Sequence, residues 1–472
     1  MNTDAQSDVL IVGAGLAGLA AAVALSGAGA KVALLERKPY VGGRAYSYSH
    51  PALDEVIDSQ HVMLGCCTNL VDLCKLSDAD RHIRWYDHVT FLEPDTARRS
   101  DIGADFLPAP GHSSLSFLRA PMLSLADKSR IALGLLEFMR GYPATDDEPF
   151  SAWLKRTKQT GRAIRHFWEP VIVGALNDSF ERCSTRYAGQ VFYESFLKSA
   201  EGGRLGIPTQ PMSEFYVAVA SLAERQGTAI HLRTSIDRIE RLSDGSWQAT
   251  ASDGSLHNAP QIILALPFEQ TARLIGTLPD QDRGSLALDL SRFSHAPITT
   301  VHLWFDREIT TLDHAAFLDT RIQWVFNKSR IRRDEPDAVG EAGQYLELVI
   351  SASFAELTMT REQILSSALE ELARFFPAVH EAALLKSGVL KEARATFSVV
   401  PGLDRYRPQA ATDIPGLYLA GDWARTGWPS TMEGAVRSGR LAAEAIARAT
   451  GNQTKFLSPD LPASGLMRFL PR

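Results

Sequence analysis

Residues 9–30 read VLIVGAGLAGLAAAVALSGAGA, an uncharged stretch long enough to cross a bilayer, for which about twenty apolar residues suffice. Its composition favours a different structure, because Gly13, Gly15 and Gly18 form the pattern G-x-G-x-x-G between a strand-like run and an Ala- and Leu-rich helical run. A second strand-like run ends at Glu36, whose carboxylate is placed to accept hydrogen bonds from a ribose diol. The order strand, glycine turn, helix, strand and acid predicts a dinucleotide-binding unit rather than a membrane span.

The glycine turn and the helix after it have separate predicted roles. Gly13 permits a tight turn, Gly15 lets the backbone approach a pyrophosphate, and Gly18 lets the helix pack closely on the strand. Leu16 and Ala17 lie at the helix N-terminus, where free N–H groups and the helix dipole favour phosphate. This segment is therefore predicted to hold the phosphates of a nucleotide.

The next segment narrows the kind of nucleotide. After Glu36 the chain reads RKPYVGGRA, and the string E-R-x-x-x-x-G-G-R-A resembles the FAD signature of the amine oxidase and carotenoid desaturase superfamily. Two glycines bring the backbone close to the pyrophosphate and an arginine adds a charge-assisted contact, which a nicotinamide dehydrogenase does not need here. A glycine-rich surface turn is the alternative. The predicted FAD contacts in this segment are Arg37, Gly42, Gly43, Arg44 and Ala45.

A second signature lies near the other end of the chain, where YLAGDW at residues 418–423 precedes MEGAV at residues 432–436 and a helical pattern. The superfamily resemblance implies that its aspartate contacts the ribityl–phosphate side of FAD and that the helix begins beside the isoalloxazine. A helix N-terminus facing an anionic group agrees with this. No cysteine follows Cys183, so we expect the FAD to be non-covalent. The implied contacts are Gly421, Asp422, Thr431, Met432, Glu433 and Ala435.

A third element carries less information, because any β-meander could look the same. Residues 231–240 alternate like one strand, and the Asp-Gly pairs at 244–245 and 253–254 are typical of hairpin turns. By the same resemblance, the backbone around Ile236 contacts the adenine, and Gln60 and His61 complete the implied FAD contacts.

The scattered signatures predict an α/β protein with a Rossmann-like FAD-binding domain and an inserted substrate domain of mixed sheet and helices. The FAD-binding domain is assigned to residues 1–80, 203–270 and 390–450, the substrate domain to residues 81–202 and 271–389, and a C-terminal tail to residues 451–472. Within the substrate domain, apolar periodicity predicts a largely helical stretch and a strand-rich stretch, with individual helices over residues 125–139 and 361–376.

Composition excludes several classes of protein. A chain of 472 residues with 45% hydrophobic and 22% charged residues is globular, and a net charge of −6 without a long basic stripe predicts no nucleic-acid partner. The basic string KSRIRR at residues 328–333 is interpreted as a solvated loop. The four cysteines lack zinc-type spacing, so we expect reduced intracellular thiols and no metal site. The first residues lack the basic region of a signal peptide, which predicts a cytoplasmic protein.

Two apolar segments admit more than one interpretation. FLRAPMLSL, at residues 117–125, fits a membrane-contacting patch, the mouth of an apolar tunnel or the buried core of an inserted domain. No role is assigned to the final LMRFLPR. We therefore include peripheral contact with the inner face of the membrane among the expectations.

Three strings carry a narrower resemblance: DSQHVMLGCCTNL at residues 58–70, FWEPVIVGALN at residues 167–177, and GDWARTGWPSTMEGA at residues 421–435. Together they resemble the squalene-associated FAD-dependent desaturase-like enzymes, the hydroxysqualene dehydroxylases of bacterial hopanoid synthesis. The resemblance implies reduction of hydroxysqualene to squalene with reduced FAD as electron donor, and upstream squalene or hydroxysqualene synthases as partners. It also implies substrate contacts at Trp168, Asn177 and Trp428.

Related functions stay open to different degrees. Thr431 stands where flavin amine oxidases carry a cage tyrosine, which disfavours amine oxidation. Carotenoid desaturases share a long apolar substrate and remain an alternative. A prenyl-lipid carrier of the same fold is the non-enzymatic alternative, although a carrier has no need of a complete pyrophosphate site.

Dehydroxylation requires an acid at the substrate hydroxyl and a site that excludes water. His61 is the first candidate because histidine titrates near neutral pH, with a structural histidine as the alternative. Glu433 is the second, although at a helix start it can act as a cap only. Asp178, next to Asn177, is the third.

Overall fold

The computed structural model describes residues 7–96, 98–283, 286, 288–332 and 343–470. In chain order, the strands are β1 (Val9–Val12), β2 (Val32–Leu35), β3 (Tyr48–His50), β4 (Glu55–Ile57), β5 (Met63–Leu64), β6 (Ile83–Tyr86), β7 (His88–Leu92), β8 (Arg99–Gly103), β9 (Leu205–Pro208), β10 (Ala229–His231), β11 (Ile236–Arg241), β12 (Trp247–Ala251), β13 (Leu256–Ala259), β14 (Gln261–Leu264), β15 (His295–Phe305), β16 (His314–Phe317), β17 (Trp324–Asn327), β18 (Gln344–Ser351), β19 (Leu384–Phe397) and β20 (Leu417–Leu419).

The helices, joined by short 3₁₀ and π turns, are α1 (Leu16–Gly27), α2 (Thr68–Leu76), α3 (Ser114–Arg119), α4 (Leu125–Met139), α5 (Phe150–Arg156), α6 (Gly161–Ala163), α7 (Glu169–Leu176), α8 (Thr185–Phe192), α9 (Met212–Arg225), α10 (Phe268–Ile275), α11 (Asp280–Arg283), α12 (Lys328–Ile331), α13 (Arg361–Phe375) and α14 (Met432–Ala449).

A five-stranded parallel sheet forms the first layer, in the order β10-β2-β1-β14-β20. β1, β2 and β20 are buried along their whole length, as expected for parallel strands covered on both faces. By chain position the order is 3-2-1-4-5, which is that of a Rossmann-type sheet, whose ligands bind at the carboxyl ends of the strands. The predicted fold class is confirmed, and residues 9–30 form a strand, a turn and a helix.

Helices α1 and α14 pack beside this sheet and approach each other closely. A Cβ added at Gly439 of α14 would lie 2.0 Å from the Ala17 carbonyl oxygen of α1, so glycine is what allows the two helices to approach. The described part of the chain includes no helix with both the length and the apolar character that crossing a membrane requires.

The alternating stretch at residues 231–240 is two strands rather than the single strand predicted. β10 ends at His231 in the parallel sheet, and β11 begins at Ile236 in a separate three-stranded sheet with β12 and β13. Between them Arg233 adopts φ 59°, and its N–H donates to the Lys38 carbonyl. The strand is interrupted because this loop contacts the segment after β2. A contact of that kind cannot be read from the alternation of apolar and polar residues.

A seven-stranded sheet forms the second layer, in the order β19-β15-β18-β17-β16-β7-β8. One face packs on α13, where Leu346 and Leu348 of β18 meet Ile364 and Leu372. Along β15 and β18, the side chains that alternate with those facing α13 lie on the other face of the sheet. The FAD-domain boundary predicted at residue 390 falls inside β19, because that strand continues in this sheet to Phe397.

Helices α3 to α8 form the helical insert predicted between the two FAD segments. Its core is a stack of aromatic rings, in which Phe138, Phe150 and Trp153 lie parallel and Trp168 meets them edge-on. The helix predicted over residues 125–139 is confirmed with those bounds. It begins with a capping box between Ser124 and Asp127.

Candidate active site

The first glycine turn forms a cradle at the carboxyl end of β1. Gly13 adopts φ 106°, and a Cβ on Gly18 would lie 1.9 Å from the Gly13 carbonyl oxygen, so helix and turn are in direct contact. Gly15 is the N-cap of α1, and no side chain in the described residues caps that helix end. Its first N–H groups, at Leu16 and Ala17, are thereby available to a phosphate.

Glu36 lies beside this cradle at the end of β2. Its Oε2 accepts the Ala14 N–H at 2.8 Å and its Oε1 accepts the Lys38 N–H at 2.9 Å, which fixes a buried carboxylate next to the turn. Each oxygen keeps capacity for a second hydrogen bond, as a ribose diol requires. The Thr234 N–H donates to the Glu36 carbonyl at 2.8 Å, which brings the loop before Ile236 alongside. Ile236 itself is buried, and its carbonyl accepts from Arg273 at 2.9 Å.

The second glycine pair docks onto the first. The Gly42 N–H donates to the Ala14 carbonyl at 2.9 Å, and a Cβ on Gly43 would lie 3.1 Å from the Gly15 Cα. Arg37 and Ala45 are the other predicted FAD contacts of this segment beside Arg44. The Arg37 side chain is exposed and that of Ala45 is half-buried. Backbone without side chains therefore lines both sides of the cradle, and these residues fit the pyrophosphate of a dinucleotide.

We predict that Gly15→Ala weakens FAD binding while leaving the fold intact. The new methyl would meet only the Gly43 Cα, at 3.7 Å, and Gly15 has an ordinary negative φ of −77°. It would, however, fill space that the pyrophosphate needs, and a tenfold loss of affinity corresponds to about 1.4 kcal/mol. Titration of apoprotein with FAD, followed by flavin fluorescence, measures the change. Gly111→Ala, whose nearest contact is also 3.7 Å, is the matched control and should bind FAD normally. Equal affinity in the two variants would contradict the predicted role.

Arg44 joins the two signatures. Its Nη2 lies 2.5 Å from Asp422 Oδ1, although the two residues are 378 positions apart. Asp422 Oδ2 accepts the Ser430 hydroxyl at 2.5 Å, and the Gly421 N–H donates to the Ser438 hydroxyl at 2.8 Å. The two signatures, which lie near opposite ends of the chain, therefore meet at one place.

Arg407 holds the loop between Gly421 and the start of α14, and sequence reasoning missed it. Its side chain is fully buried and also bonds to Tyr187 and Asp404. The guanidinium donates to four carbonyl oxygens of the loop, those of Asp422, Trp423, Ala424 and Trp428, at 3.0, 3.2, 2.6 and 2.8 Å. No local pattern marks this arginine, because its partners are backbone atoms of another segment.

Glu433 acts as a helix cap, which is the alternative interpretation given for it, but at a different helix from its own. Thr431, not Glu433, caps α14, by accepting the Gly434 N–H at 3.0 Å. The buried Glu433 carboxylate caps α2 instead: it accepts the N–H groups of Asn69 and Leu70 at 3.2 and 2.7 Å and pairs with Arg437 at 2.7 Å. Its oxygens are occupied by structural donors. Its neighbours Met432 and Ala435 are half-buried.

Asp178 and Asn177 also have structural partners. Asp178 is buried and pairs with Arg182 at 2.9 Å. Asn177 ends α7 with φ 53°, and its amide joins three segments through the Ala296 carbonyl, the Thr396 hydroxyl and the Ala352 N–H, at 3.1, 2.9 and 2.7 Å. These contacts explain the Asn177 side chain without a substrate, whereas Asp178 Oδ2 is buried and has no hydrogen-bond partner among the described residues.

The two tryptophans predicted to contact substrate differ in position. Trp168 is fully buried in the aromatic core of the insert, and its indole N–H donates to Gln159 at 2.9 Å. It packs the insert instead of lining a tunnel. Trp428 lies on the loop between Gly421 and the start of α14, with the Arg437 guanidinium 4.8 Å from its ring centroid.

His61 is poorly suited to donate a proton. Burial lowers its pKa below the usual value, an effect that the nearby Asp58 opposes only in part. Its Nδ1 lies 2.6 Å from the Ser59 carbonyl oxygen and must donate there, so the neutral ring carries its lone pair on Nε2. The first-choice acid is thus an acceptor at neutral pH.

A buried cluster of charged residues adjoins His61. The Lys328 Nζ lies 3.2 Å from both Asp58 Oδ1 and Glu347 Oε2, and it donates to Gln60 Oε1 at 2.5 Å. The Gln60 N–H donates to Glu347 Oε1 at 2.5 Å. The string at residues 328–333 is therefore not the solvated loop predicted, since Lys328 is buried against carboxylates; Arg333 lies outside the described residues.

One lysine cannot neutralise two buried carboxylates equally. Asp58 also has Arg332 at 3.8 Å and a Ser47 hydroxyl at 2.7 Å, and these positive and donor groups hold its pKa well below the usual range. Burial raises the pKa of Glu347 to about 7, although Lys328 acts in the opposite direction. Glu347 is consequently protonated below about pH 7, whereas Asp58 stays ionised there.

Glu347 lies on the face of β18 that points away from α13, together with Tyr345 and, on β15, His302. His302 Nδ1 is 2.8 Å from the Tyr345 hydroxyl, and burial lowers the pKa of His302 to about 3. The sequence of β18 is that of an ordinary buried strand. This polar group becomes visible only in the tertiary structure, where the Gln60 N–H, after β4, donates to the Glu347 side chain.

Comparison with known proteins agrees with this geometry. The family model described as flavin containing amine oxidoreductase matches residues 16–447. The chain is 27% identical to 15-cis-phytoene desaturase of Solanum lycopersicum over 456 residues, covering 93% of this chain and 77% of the relative. It is 27% identical to 15-cis-phytoene desaturase of Synechococcus elongatus over 462 residues, covering 93% and 95%.

Solved structures agree in fold alone, given their low identity. Putrescine oxidase bound to putrescine superposes with a TM-score of 0.69 at 18% identity, covering 94% of this chain and 99% of that one. An oxidoreductase from Methanosarcina mazei gives 0.69 at 19% identity, covering 93% and 100%. The two joined signatures, the side-chain-free cradle and the matched family model together show that the chain belongs to the flavin-containing amine oxidoreductase family and is an FAD-dependent oxidoreductase.

Proposed function

We propose that this oxidoreductase converts hydroxysqualene to squalene by reductive dehydroxylation. The three strings at residues 58–70, 167–177 and 421–435 support this choice. The relatives named phytoene desaturase and zeta-carotene desaturase support a long apolar isoprenoid as the class of substrate. Sources of hydroxysqualene, the squalene or hydroxysqualene synthases, are the proposed upstream partners, and the cytoplasmic side of the membrane is the proposed location.

The observation that carries the proposal is the buried Glu347 carboxyl, whose pKa burial raises to about 7 and whose Oε1 accepts the Gln60 N–H. The overall reaction balances as R–OH plus FADH₂ giving R–H, water and FAD. When bound, reduced FAD supplies the hydride that replaces the hydroxyl. Glu347 would hold the proton that the leaving hydroxyl takes as it departs as water.

The residues around Glu347 would control that proton. Lys328 and Asp58 form an ion pair beside it, and Gln60 fixes its Oε1. The apolar side chains on the same sheet face, Trp324, Phe326 and Val349, would exclude water from a substrate cation. His61, neutral and accepting at Nε2, would take no part as the acid.

Carotenoid desaturation is the second candidate, and a specific observation favours it: a desaturase needs a base, and neutral His61 carries a lone pair on Nε2. A lipid carrier is the third, but it leaves the cradle formed by Gly13, Gly15 and Gly43 without a purpose. A yellow purified protein with a flavin absorption band supports an enzyme, and a colourless one supports the carrier.

An anaerobic incubation separates the two enzymes. Purified protein with photoreduced FAD is mixed with hydroxysqualene, and the extract is analysed by gas chromatography with mass detection. We expect squalene to appear in step with flavin reoxidation. Unchanged hydroxysqualene with a properly bound flavin would refute dehydroxylation, and saturated polyprenes with oxidised flavin would then be the next substrates.

A further inference from the structure

The final segment of the chain, which had no assigned role, is part of the folded structure. The Ser464 N–H donates to the Lys198 carbonyl at 2.9 Å and the Leu466 N–H donates to the Ala109 carbonyl at 2.7 Å. Gly465 packs so closely that an added Cβ would lie 2.4 Å from the Ala109 oxygen. Met467 is buried in the main core. The tail is therefore anchored on the loop before α3.

Anchoring leaves the large apolar side chains of the tail pointing outward. In the 3₁₀ turn Gly465–Phe469, Leu466 is 62% exposed and Phe469 is 80% exposed, on either side of the buried Met467. Phe106, three residues before Ala109 on the loop that holds the tail, is 87% exposed. The tail and the loop that holds it thus both expose large apolar side chains.

The next two helices extend this surface. The Asp105 carboxylate accepts the Ser116 N–H at 2.9 Å, which ties the loop to α3. Lys128 of α4 donates to the Leu118 carbonyl at 2.7 Å, which ties α3 to α4. At those junctions Leu118 is 56% exposed and Leu125 is 76% exposed. We call Phe106, Leu118, Leu125, Leu466 and Phe469 the tail surface.

The tail surface has the composition of a bilayer-contacting patch. Single exposed apolar side chains are ordinary, but several of them on four segments that hydrogen bonds join together are typical of an interaction site. Arg119 and Arg468 are exposed among these side chains, whereas Asp105 is engaged with α3. Apolar side chains with basic residues between them fit the boundary between acyl chains and anionic headgroups.

We infer that the tail surface docks the protein on an anionic lipid bilayer, with the C-terminal segment as part of the contact. Docking itself is independent of the reaction. Docking would also give the enzyme access to a water-insoluble substrate, and this second part rests on the proposed function. The alternative interpretation of residues 117–125 as buried core applies to Phe117, which packs edge-on against Phe167, but not to Leu118 and Leu125.

Flotation with vesicles tests the docking. Full-length FAD-loaded protein is mixed with phosphatidylcholine vesicles with and without phosphatidylglycerol. We expect the wild type to float with the anionic vesicles, and the double variant Phe106→Ser/Phe469→Ser to float at least fivefold less. Leu385→Ser, at a residue 60% exposed on β19, is the matched control and should float like the wild type. Flavin absorbance and thermal midpoint should be unchanged in all variants, because the replaced side chains are exposed.

Several outcomes would overturn this inference. Undiminished flotation of the double variant would remove the tail surface from the contact, and equal binding to vesicles without phosphatidylglycerol would remove the electrostatic contribution. A wild-type dimer in sedimentation that the double variant abolishes, without flotation, would assign the surface to a second copy of the chain. Squalene formation from detergent-dispersed substrate is measured separately, so failure to float and failure of the proposed reaction remain distinguishable.

Discussion

Replacing Arg407 by leucine is expected to yield protein without bound FAD and to lower the free energy of unfolding by about 3–5 kcal/mol. The fully buried guanidinium donates to the Asp422, Ala424 and Trp428 carbonyls among others. Leucine keeps some of the volume but leaves these carbonyls unpaired, and each unsatisfied buried acceptor costs about 1–3 kcal/mol. The loop that carries Asp422 then loses its position beside Arg44. Urea denaturation and the ratio of flavin to protein absorbance measure the two effects.

Arg405→Leu is the matched control for this experiment. Arg405 is two residues away and exposed, with its guanidinium 5.0 Å from the Tyr406 ring centroid, so its loss should change neither stability nor FAD content appreciably. Arg407→Lys keeps the charge but cannot reach carbonyls on several sides, and we expect an intermediate loss. A stable Arg407→Leu variant with full FAD content would show that the loop holds its shape without this residue.

Glu347→Gln is expected to lower turnover of hydroxysqualene by about 100-fold or more while FAD stays bound, because general acid catalysis contributes about 10²–10⁴-fold. Glutamine keeps an acceptor for the Gln60 N–H but has no proton to give. The measurement is single-turnover reoxidation of photoreduced flavin under anaerobic conditions. Glu356→Gln, at a second buried glutamate that pairs with Arg321, should react like the wild type.

The pH dependence provides a second readout of Glu347. Its pKa is raised to about 7, so the carboxyl is protonated below that pH and loses its proton above it. An acid must be protonated to act, so wild-type turnover should fall as pH rises through about 7, and the residual turnover of Glu347→Gln should not follow this titration. If His61→Gln loses turnover and Glu347→Gln keeps it, the acid is His61 instead.

Local patterns were sufficient wherever neighbours in sequence determine the structure. The glycine spacing, two apolar runs and Glu36 predicted the first βαβ unit, because a tight turn and close helix packing each require glycine at a particular position. The Asp-Gly pairs predicted the β11–β12–β13 hairpins, since these residues suit tight turns. The helix over residues 125–139 carries its own start signal in Ser124 and Asp127.

Patterns failed where a side chain's role depends on a distant segment. Glu433 caps α2 rather than its own helix, Trp168 fills an aromatic core, and burial lowers the pKa of His61. Each residue has a chemically suitable side chain, and only its environment determines what it does.

The sequence by itself determined the fold class, the FAD cofactor and the broad family, because the phosphate cradle is a matter of backbone conformation and short spacings. The tertiary structure decided which of the two buried carboxyls has a raised pKa and which residue holds the loop that carries Asp422. Lys328 and Asp58 are 270 positions apart, and Arg407 acts on backbone atoms of a later segment. Such contacts depend on long-range packing, and the pKa of a buried group depends on all the charges and on the water excluded around it.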